Sequence, residues 1–400
     1  MSLPVDDYEE DMISSGYPST VHEWMKAIRR PTPYRVGNAR LHLKTRTVIY
    51  AALFSTAIFV LFIVFIPRPA PVTPKCDEFY SDKYYFSKYP LTAPTRTEHG
   101  ATYSIGLITD LDTDSKSKDK KDTWFSYFRT GNFTISDDNR HINVKLNQPV
   151  VITSTLSQGG RGMELSELVT FNQKLYSVDD RTGIIYDVTD RHEVVPWVVL
   201  PDGNGKHNKG FKCEWATVKN KRLYVGGLGK EWTTTTGEVK SLDPQWVKSV
   251  GVLGDVQHHD WHANYNALRA QTGTLLPGYL IHESGVWSEI HNRWFFLPRR
   301  ASKEKYDEVS DERRATNMLI SADENFQEIK VTRIGKENPT HGFSSFKFVP
   351  GTDDLVVVAL KSEEDGGKVA SYILVFNIYG KILLPEQIIG NVKYEGIEFI

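Results

Sequence analysis

A turn-and-strand unit recurs through the C-terminal three-quarters of this chain and restricts its fold more than any other feature. The run Asn172-Gln173-Lys174-Leu175-Tyr176-Ser177-Val178 returns about fifty residues later as Asn220-Lys221-Arg222-Leu223-Tyr224-Val225. An acidic residue stands ahead of each copy, Glu164 before the first and Glu214 before the second. Self-similarity at this spacing marks stacked or circular architectures, in which one supersecondary unit buries its apolar face on the next. A ring of such units gathers its carboxylates at one centre.

Strand signals dominate the same region. Tyr103 to Ile108, Val194 to Leu200, Trp294 to Leu297, Leu355 to Leu360 and Tyr372 to Phe376 are short, branched or aromatic runs bounded by Gly, Asp, Asn or Pro. Helical periodicity is confined to Tyr265 to Thr272 and to Lys303 to Arg314, the latter mostly a charged excursion. Units of this size predict an all-β, five-bladed β-propeller over residues 101–400, since a sandwich needs far fewer residues. With 400 residues, 40% hydrophobic, the chain can bury a large core, and its net charge of -2 gives no electrostatic case for nucleic acid.

The N-terminal quarter reads differently. Residues 48–66 form an uncharged apolar run of nineteen, close to the roughly 20 residues a helix needs to cross a bilayer. Arg29, Arg30, Arg35, Arg40, Lys44 and Arg46 precede it, and only Arg68, Lys75 and Lys83 follow closely. The positive-inside rule then predicts a cytoplasmic tail (1–47), a signal-anchor span (48–66), a luminal stem (67–100) and a luminal propeller. The run lies too far from the N-terminus, and lacks a small-residue cleavage site, for a removable leader. Asn132-Phe133-Thr134 is a glycosylation sequon on the expected luminal side. Cys76 and Cys213 either pair, or Cys76 bridges two chains into a homodimer while Cys213 stays free and buried.

Longer strings are specific enough to point to a family. GRGMELSELV, KLYSVDDRTG, KGFKCEWATV, RLYVGGLGKEWTT, YNALRA, PGYLIHES, RWFFLPRRAS, THGFSSFKFVP, VALKSEE and VKYEGIEFI, in that order, resemble the calcium-activated nucleotidase family of apyrases over roughly residues 95–400. That resemblance implies one Ca²⁺ in the central channel and hydrolysis of nucleoside di- and triphosphates. The anchor resembles that of vertebrate members of the endoplasmic reticulum and Golgi, which prefer UDP and GDP. In that compartment the enzyme removes the nucleotide product of glycosyl transfer. Whether the luminal part is also released by cleavage stays open.

Carried over residue by residue, the resemblance puts the calcium ligands at Ser166, Glu214, Glu283, Ser344 and Glu395, separated by 48, 69, 61 and 51 residues, or one donor per blade. Ca²⁺ takes six to eight oxygen ligands, so three carboxylates, main-chain carbonyls at the serines and water make a consistent set. Each Glu taken alone reads more readily as a solvated strand edge or a partner to Lys or Arg. Buried together at an axis, however, they repel one another unless a cation is present. The same resemblance assigns the catalytic pair to Asp110 and Asp180, although carboxylates at strand ends also cap turns, and Asp179-Asp180-Arg181-Thr182-Gly183 is a good turn sequence.

Arg161 and Arg299 are the first choices for phosphate recognition, because a guanidinium offers paired donors; inter-blade salt bridges are the competing role. Trp215, Trp232 and Trp287 are readable as nucleobase platforms or as blade core. Gly226 to Glu231 lacks the pattern of a phosphate loop, and His258, His259 and His262 do not form HExxH. Asp353-Asp354 and Glu363-Glu364 are read as loops between strands. Two further readings stand beside the enzyme: a propeller that binds a partner around a structural Ca²⁺, and a luminal glycan hydrolase using paired carboxylates.

Overall fold

The computed structural model describes residues 31–36, 39–65, 83–190 and 193–400, with side-chain surroundings given for 48–59, 83–190 and 193–400. It divides into two units, Met1–Thr73 and Pro74–Ile400. In the first, Pro31–Val36 pairs antiparallel with Ala39–Lys44, and a 21-residue helix follows at Thr45–Phe65. The helix contains no Gly or Pro and stops two residues short of Pro67, where proline would remove a hydrogen bond and clash with the preceding turn. Tyr50, Leu53, Phe54 and Phe59 are exposed on it. Among the described residues no helix is long and apolar enough to cross a membrane; the expected span of 48–66 runs beyond those described.

The second unit is a five-bladed propeller. Four blades are four-stranded antiparallel sheets that read outward in chain order, beginning with Leu165–Phe171, Trp215–Lys219, Tyr279–Ser288 and His341–Phe348. The remaining blade is built from both ends of the unit. Its innermost strand is the C-terminal Tyr394–Phe399, followed outward by Gly100–Thr109, Trp124–Ser136 and Ile142–Leu146, with Thr95–Thr97 and Val150–Ser154 pairing at its margins. The five innermost strands touch in sequence around a closed circle. Burial falls from centre to rim, as radial repetition demands: every residue of Leu165–Phe171 is buried, whereas Val195–Val199 at the edge of the same blade is largely exposed.

The recurring sequence unit has a local cause. Asn172-Gln173 and Asn220-Lys221 all adopt left-handed backbone, with φ of 48°, 63°, 49° and 60°, at the hairpins that turn each innermost strand into its neighbour. Two-residue hairpin loops favour this geometry because it matches strand twist, and Asn tolerates it best among non-glycine residues. Closure also makes a specific demand. A Cβ on Gly396 would stand 2.6 Å from the backbone nitrogen of Leu168 in the next blade, so only glycine allows the last strand to seat.

Aromatic side chains fill the inter-blade spaces. Trp215 and Trp287 belong to one such cluster with Trp261, Trp294 and Phe296, which places them in the core. Cys213 is buried with a free thiol, while Cys76 lies outside the described residues. Part of the stretch read as stem lies on the propeller: the Phe86 amide donates to Asn172 Oδ1 at 2.8 Å and the Tyr89 hydroxyl to Glu398 Oε1 at 2.8 Å. The expected short helix is His262–Thr272, so His262 does start a helix, and the charged excursion contains one turn at Glu308–Asp311. Glu363 and Glu364 are not loop residues; both lie in the strand Val356–Asp365.

Candidate functional site

Five residues predicted to converge occupy equivalent places, one on or beside each innermost strand. Four of them sit where pairing slips. Register breaks fall at Leu165/Glu167, His282/Gly285, Phe343/Ser345 and Tyr394/Gly396, leaving Ser166, Glu283, Ser344 and Glu395 without cross-strand partners. The fifth, Glu214, directly precedes Trp215–Lys219 and donates its amide to Gly226 O at 2.8 Å. A bulge re-aims a side chain and frees a main-chain carbonyl from the ladder. Three of the five, Glu214, Glu283 and Glu395, come to one cleft.

A cleft of about 390 Å³ opens over these strand ends, lined by Glu214, Glu283 and Glu395 together with Asp110, Asp180 and Glu364. Ser166 and Ser344 are buried and do not line it. Burial pushes the Glu214 carboxyl up to about 8, against the pull of Lys212 and with Glu283 and Asp180 adding repulsion. Burial likewise holds Glu395 well above the carboxylate range, with Asp110 and Glu283 reinforcing it against Lys393 and Arg299. The Ser166 hydroxyl is buried without a hydrogen-bond partner, while that of Ser344 donates to Tyr394 O at 3.0 Å, leaving its carbonyl as donor atom. A donor set made of oxygen atoms only suits a hard divalent cation. A second acidic group, Asp110, Asp112 and Glu164, brings one oxygen from each within 4.8 Å of the others, with Arg161 on Glu164 and Lys393 on the two aspartates.

The paired aspartates separate into different roles. Asp179 accepts from the amides of Met163 at 2.8 Å, Arg181 at 2.8 Å and Thr182 at 3.0 Å, so its carboxylate closes a turn. Its neighbour Asp180 instead meets Lys212 in the cleft. Asp110 is buried, which raises its pKa, yet Lys393 at 3.0 Å and the Asp112 amide at 2.7 Å outweigh burial and leave it below its ordinary value. It is therefore ionised at neutral pH. Asp112 carries a left-handed φ of 48° and accepts from Lys393 at 2.6 Å.

The two arginines also differ. Arg161 stays off the cleft lining and is clamped on Glu164 at 2.7 and 2.5 Å. Arg299, only 6% exposed, touches Glu283, Glu364 and, at 2.9 Å, Glu395. Of the three tryptophans considered for base stacking, Trp232 alone lines the cleft, with Lys209 Nζ 4.3 Å from its ring centre. Lys230, from the glycine-rich segment set aside above, lines it too; its ammonium sits 4.0 Å from the Tyr306 ring centre, and burial lowers its pKa to about 8.

Sequence reasoning missed Lys212, Lys393 and Glu364, all of which face the cleft. A signal for the lysines was present. Lys212-Cys213-Glu214 and Lys393-Tyr394-Glu395 repeat a K-x-E spacing, and residues two apart on extended chain share a side.

Comparison with known proteins adds independent information. The family description Apyrase matches residues 111–400. The chain is 56% identical to rat soluble calcium-activated nucleotidase 1 over 79% of its own length and 78% of the relative's. It is 49% identical to apyrase apy-1 of Caenorhabditis elegans, covering 74% of this chain and 84% of that one, and 44% identical to an apyrase of Cimex lectularius, covering 78% and 87%.

Proposed function

This chain belongs to the apyrase family and is a nucleotide phosphohydrolase, and from that premise we propose a Ca²⁺-dependent nucleoside diphosphatase of the secretory lumen. Its favoured substrates are UDP and GDP, with other di- and triphosphates hydrolysed more slowly to monophosphate and phosphate. The observation that supports the metal assignment is the register break repeated in four of the five blades, each at an oxygen-bearing residue of the innermost strand, with Glu214 beside the fifth. Calcium-activated relatives support it. The base preference and the compartment rest on the resemblance to anchored vertebrate members.

Ser166, Glu214, Glu283, Ser344 and Glu395 hold the ion in this reading. When bound, Ca²⁺ supplies positive charge to the phosphate oxygens as the terminal P–O bond breaks. Asp110, kept ionised by Lys393, orients or deprotonates the attacking water. Asp180 fixes Lys212 beside the substrate, and Arg299 provides a planar pair of donors for phosphate. Trp232 and Tyr306 border the space available to a base. The apolar run 48–66 is the anchor in the endoplasmic reticulum or Golgi membrane in this reading, with the propeller in the lumen. Asn132, exposed on its strand, accepts glycan there.

Phosphate release from UDP, GDP, ADP and ATP by the purified full chain, with Ca²⁺, Mg²⁺ or metal-free buffer, tests the proposal. Turnover that requires Ca²⁺ and runs fastest on UDP or GDP is expected. Equal rates in Mg²⁺ would remove the metal assignment, and faster ADP or ATP hydrolysis would remove the base preference.

A further inference from the structure

Three cations in the cleft each bridge two sets of carboxylates. Lys212 Nζ is 2.7 Å from Glu214 and also contacts Asp180. Arg299 joins Glu283 and Glu395 to Glu364. Lys393 stands 3.6 Å from Glu395, 3.0 Å from Asp110, 2.6 Å from Asp112 and 3.7 Å from Glu364. One set, Glu214, Glu283 and Glu395, comprises the glutamates assigned to the metal. The other, Asp110, Asp112, Asp180 and Glu364, borders the space above. All three cationic side chains are largely withdrawn from solvent, at 21%, 6% and 9% exposure, so their partners are within the protein.

Resting on the calcium reading above, we propose that Lys212, Arg299 and Lys393 hold the metal glutamates in the metal-free protein and are handed to the nucleotide's phosphates when the divalent cation enters. Two charges placed among Glu214, Glu283 and Glu395 remove the attraction those glutamates exert on the cations and replace it with repulsion. What stays available to them is the outer carboxylate set and the cleft. A diphosphate brings several anionic oxygens in a compact group, matching two flexible ammonium donors and one planar guanidinium. Without the metal the cleft is too acidic to accept such an anion. Metal and nucleotide are therefore reciprocal ligands, each raising the affinity of the other by the same factor. Lys212 and Lys393 thereby become phosphate-positioning residues that also compete with calcium, a combination that a purely structural salt bridge does not produce.

The test is calorimetric, on the full chain. Ca²⁺ is titrated into wild type, Lys212→Met and Lys393→Met without nucleotide; a methylene-bridged UDP analogue is then titrated at saturating Ca²⁺. Loss of an internal competitor is expected to tighten calcium about tenfold, the equivalent of ~1.4 kcal/mol. The analogue is expected to weaken roughly tenfold or more, the range of a lost charge-assisted hydrogen bond, with Lys212→Arg restoring both constants. Calcium binding that weakens in the Met variants, or constants that do not move, would overturn the proposal. Should a variant fail to fold, acylation of Lys212 and Lys393 in wild type, read by mass spectrometry, decides the matter. Labelling should rise when Ca²⁺ is added and fall again with the analogue; labelling indifferent to Ca²⁺ refutes the exchange. A wild-type chain that neither binds Ca²⁺ nor releases phosphate would instead defeat the parent assignment. Normal calcium binding and turnover with the opposite variant response would defeat only the exchange.

Discussion

Stability of the metal-free protein should fall as pH rises from 5 to 8, and calcium should abolish that fall. Glu214 carries the effect: burial, reinforced by Glu283 and Asp180, lifts it from 4.5 to about 8 in the folded state. A carboxyl that holds its proton better when folded contributes stability in full below its unfolded pKa and loses it as pH climbs through the folded value. Glu395 is displaced in the same direction. Lys212 and Lys393 are held above the ordinary lysine range, so the stability they supply is lost only at still higher pH. Asp110, displaced downward, loses its contribution only under acid conditions. For Glu214 alone the loss by pH 8 is about 4 kcal/mol, taking ~1.36 kcal/mol per pKa unit. In a domain of this size that is a Tm decrease of roughly 8 °C, at about 2 °C per kcal/mol. Thermal unfolding by near-ultraviolet circular dichroism, on protein stripped by chelating resin and on protein with millimolar Ca²⁺, measures both curves. The calcium-induced rise in Tm should grow from almost nothing at pH 5 to its full size at pH 8, and Glu214→Gln should flatten the metal-free curve. Parallel curves with and without Ca²⁺ would refute the reasoning.

Other perturbations follow from the same geometry. Asp110→Asn, which keeps the shape but removes the charge held by Lys393 at 3.0 Å, should lower kcat about 10²- to 10⁴-fold at saturating Ca²⁺; near-normal turnover would reassign the base. Phe399→Ala removes a fully buried ring that meets Tyr103 at 5.4 Å and Phe133 at 5.7 Å in the closing strand. It should cost about 3–5 kcal/mol in urea unfolding, and a loss under about 1 kcal/mol would mean that the seal is not needed for stability. Gly396→Ala should lower Tm through the 2.6 Å approach to Leu168, by an overpacking cost of about 1–3 kcal/mol; unchanged Tm would show that the neighbouring blade yields freely.

The propeller was legible because its repeat is written in hairpin chemistry. Asn172 and Asn220 suit the left-handed backbone of their turns, so the spacing of those turns gives the length of one blade. The five candidate donors came from the family resemblance, and four of them lie at a register break that no sequence pattern announced. Paired acids were harder to place. Glu363-Glu364 looks like a loop because acidic residues are depleted from strands, yet Arg299 and Lys393 hold Glu364 on strand Val356–Asp365 by charge. Adjacent carboxylates at 179 and 180 look interchangeable until backbone amides claim the first. The cations escaped notice for a physical reason too: a lysine in sequence is a surface residue by default, and only the fold buries Lys212 and Lys393 among acids. Trp232 differs from Trp215 and Trp287 in lying on a separate two-stranded ribbon, Trp232–Thr233 with Val239–Ser241, rather than on an innermost blade strand, and composition does not record that.

The most direct measurement is a crystal structure of the protein with Ca²⁺ and a methylene-bridged UDP analogue. One ion on the propeller axis, bound by oxygens of Glu214, Glu283 and Glu395 and touching the analogue's phosphates, is the predicted result. An ion held instead by Asp110, Asp112 and Glu164, with the three glutamates still paired to Lys212, Arg299 and Lys393, would contradict it.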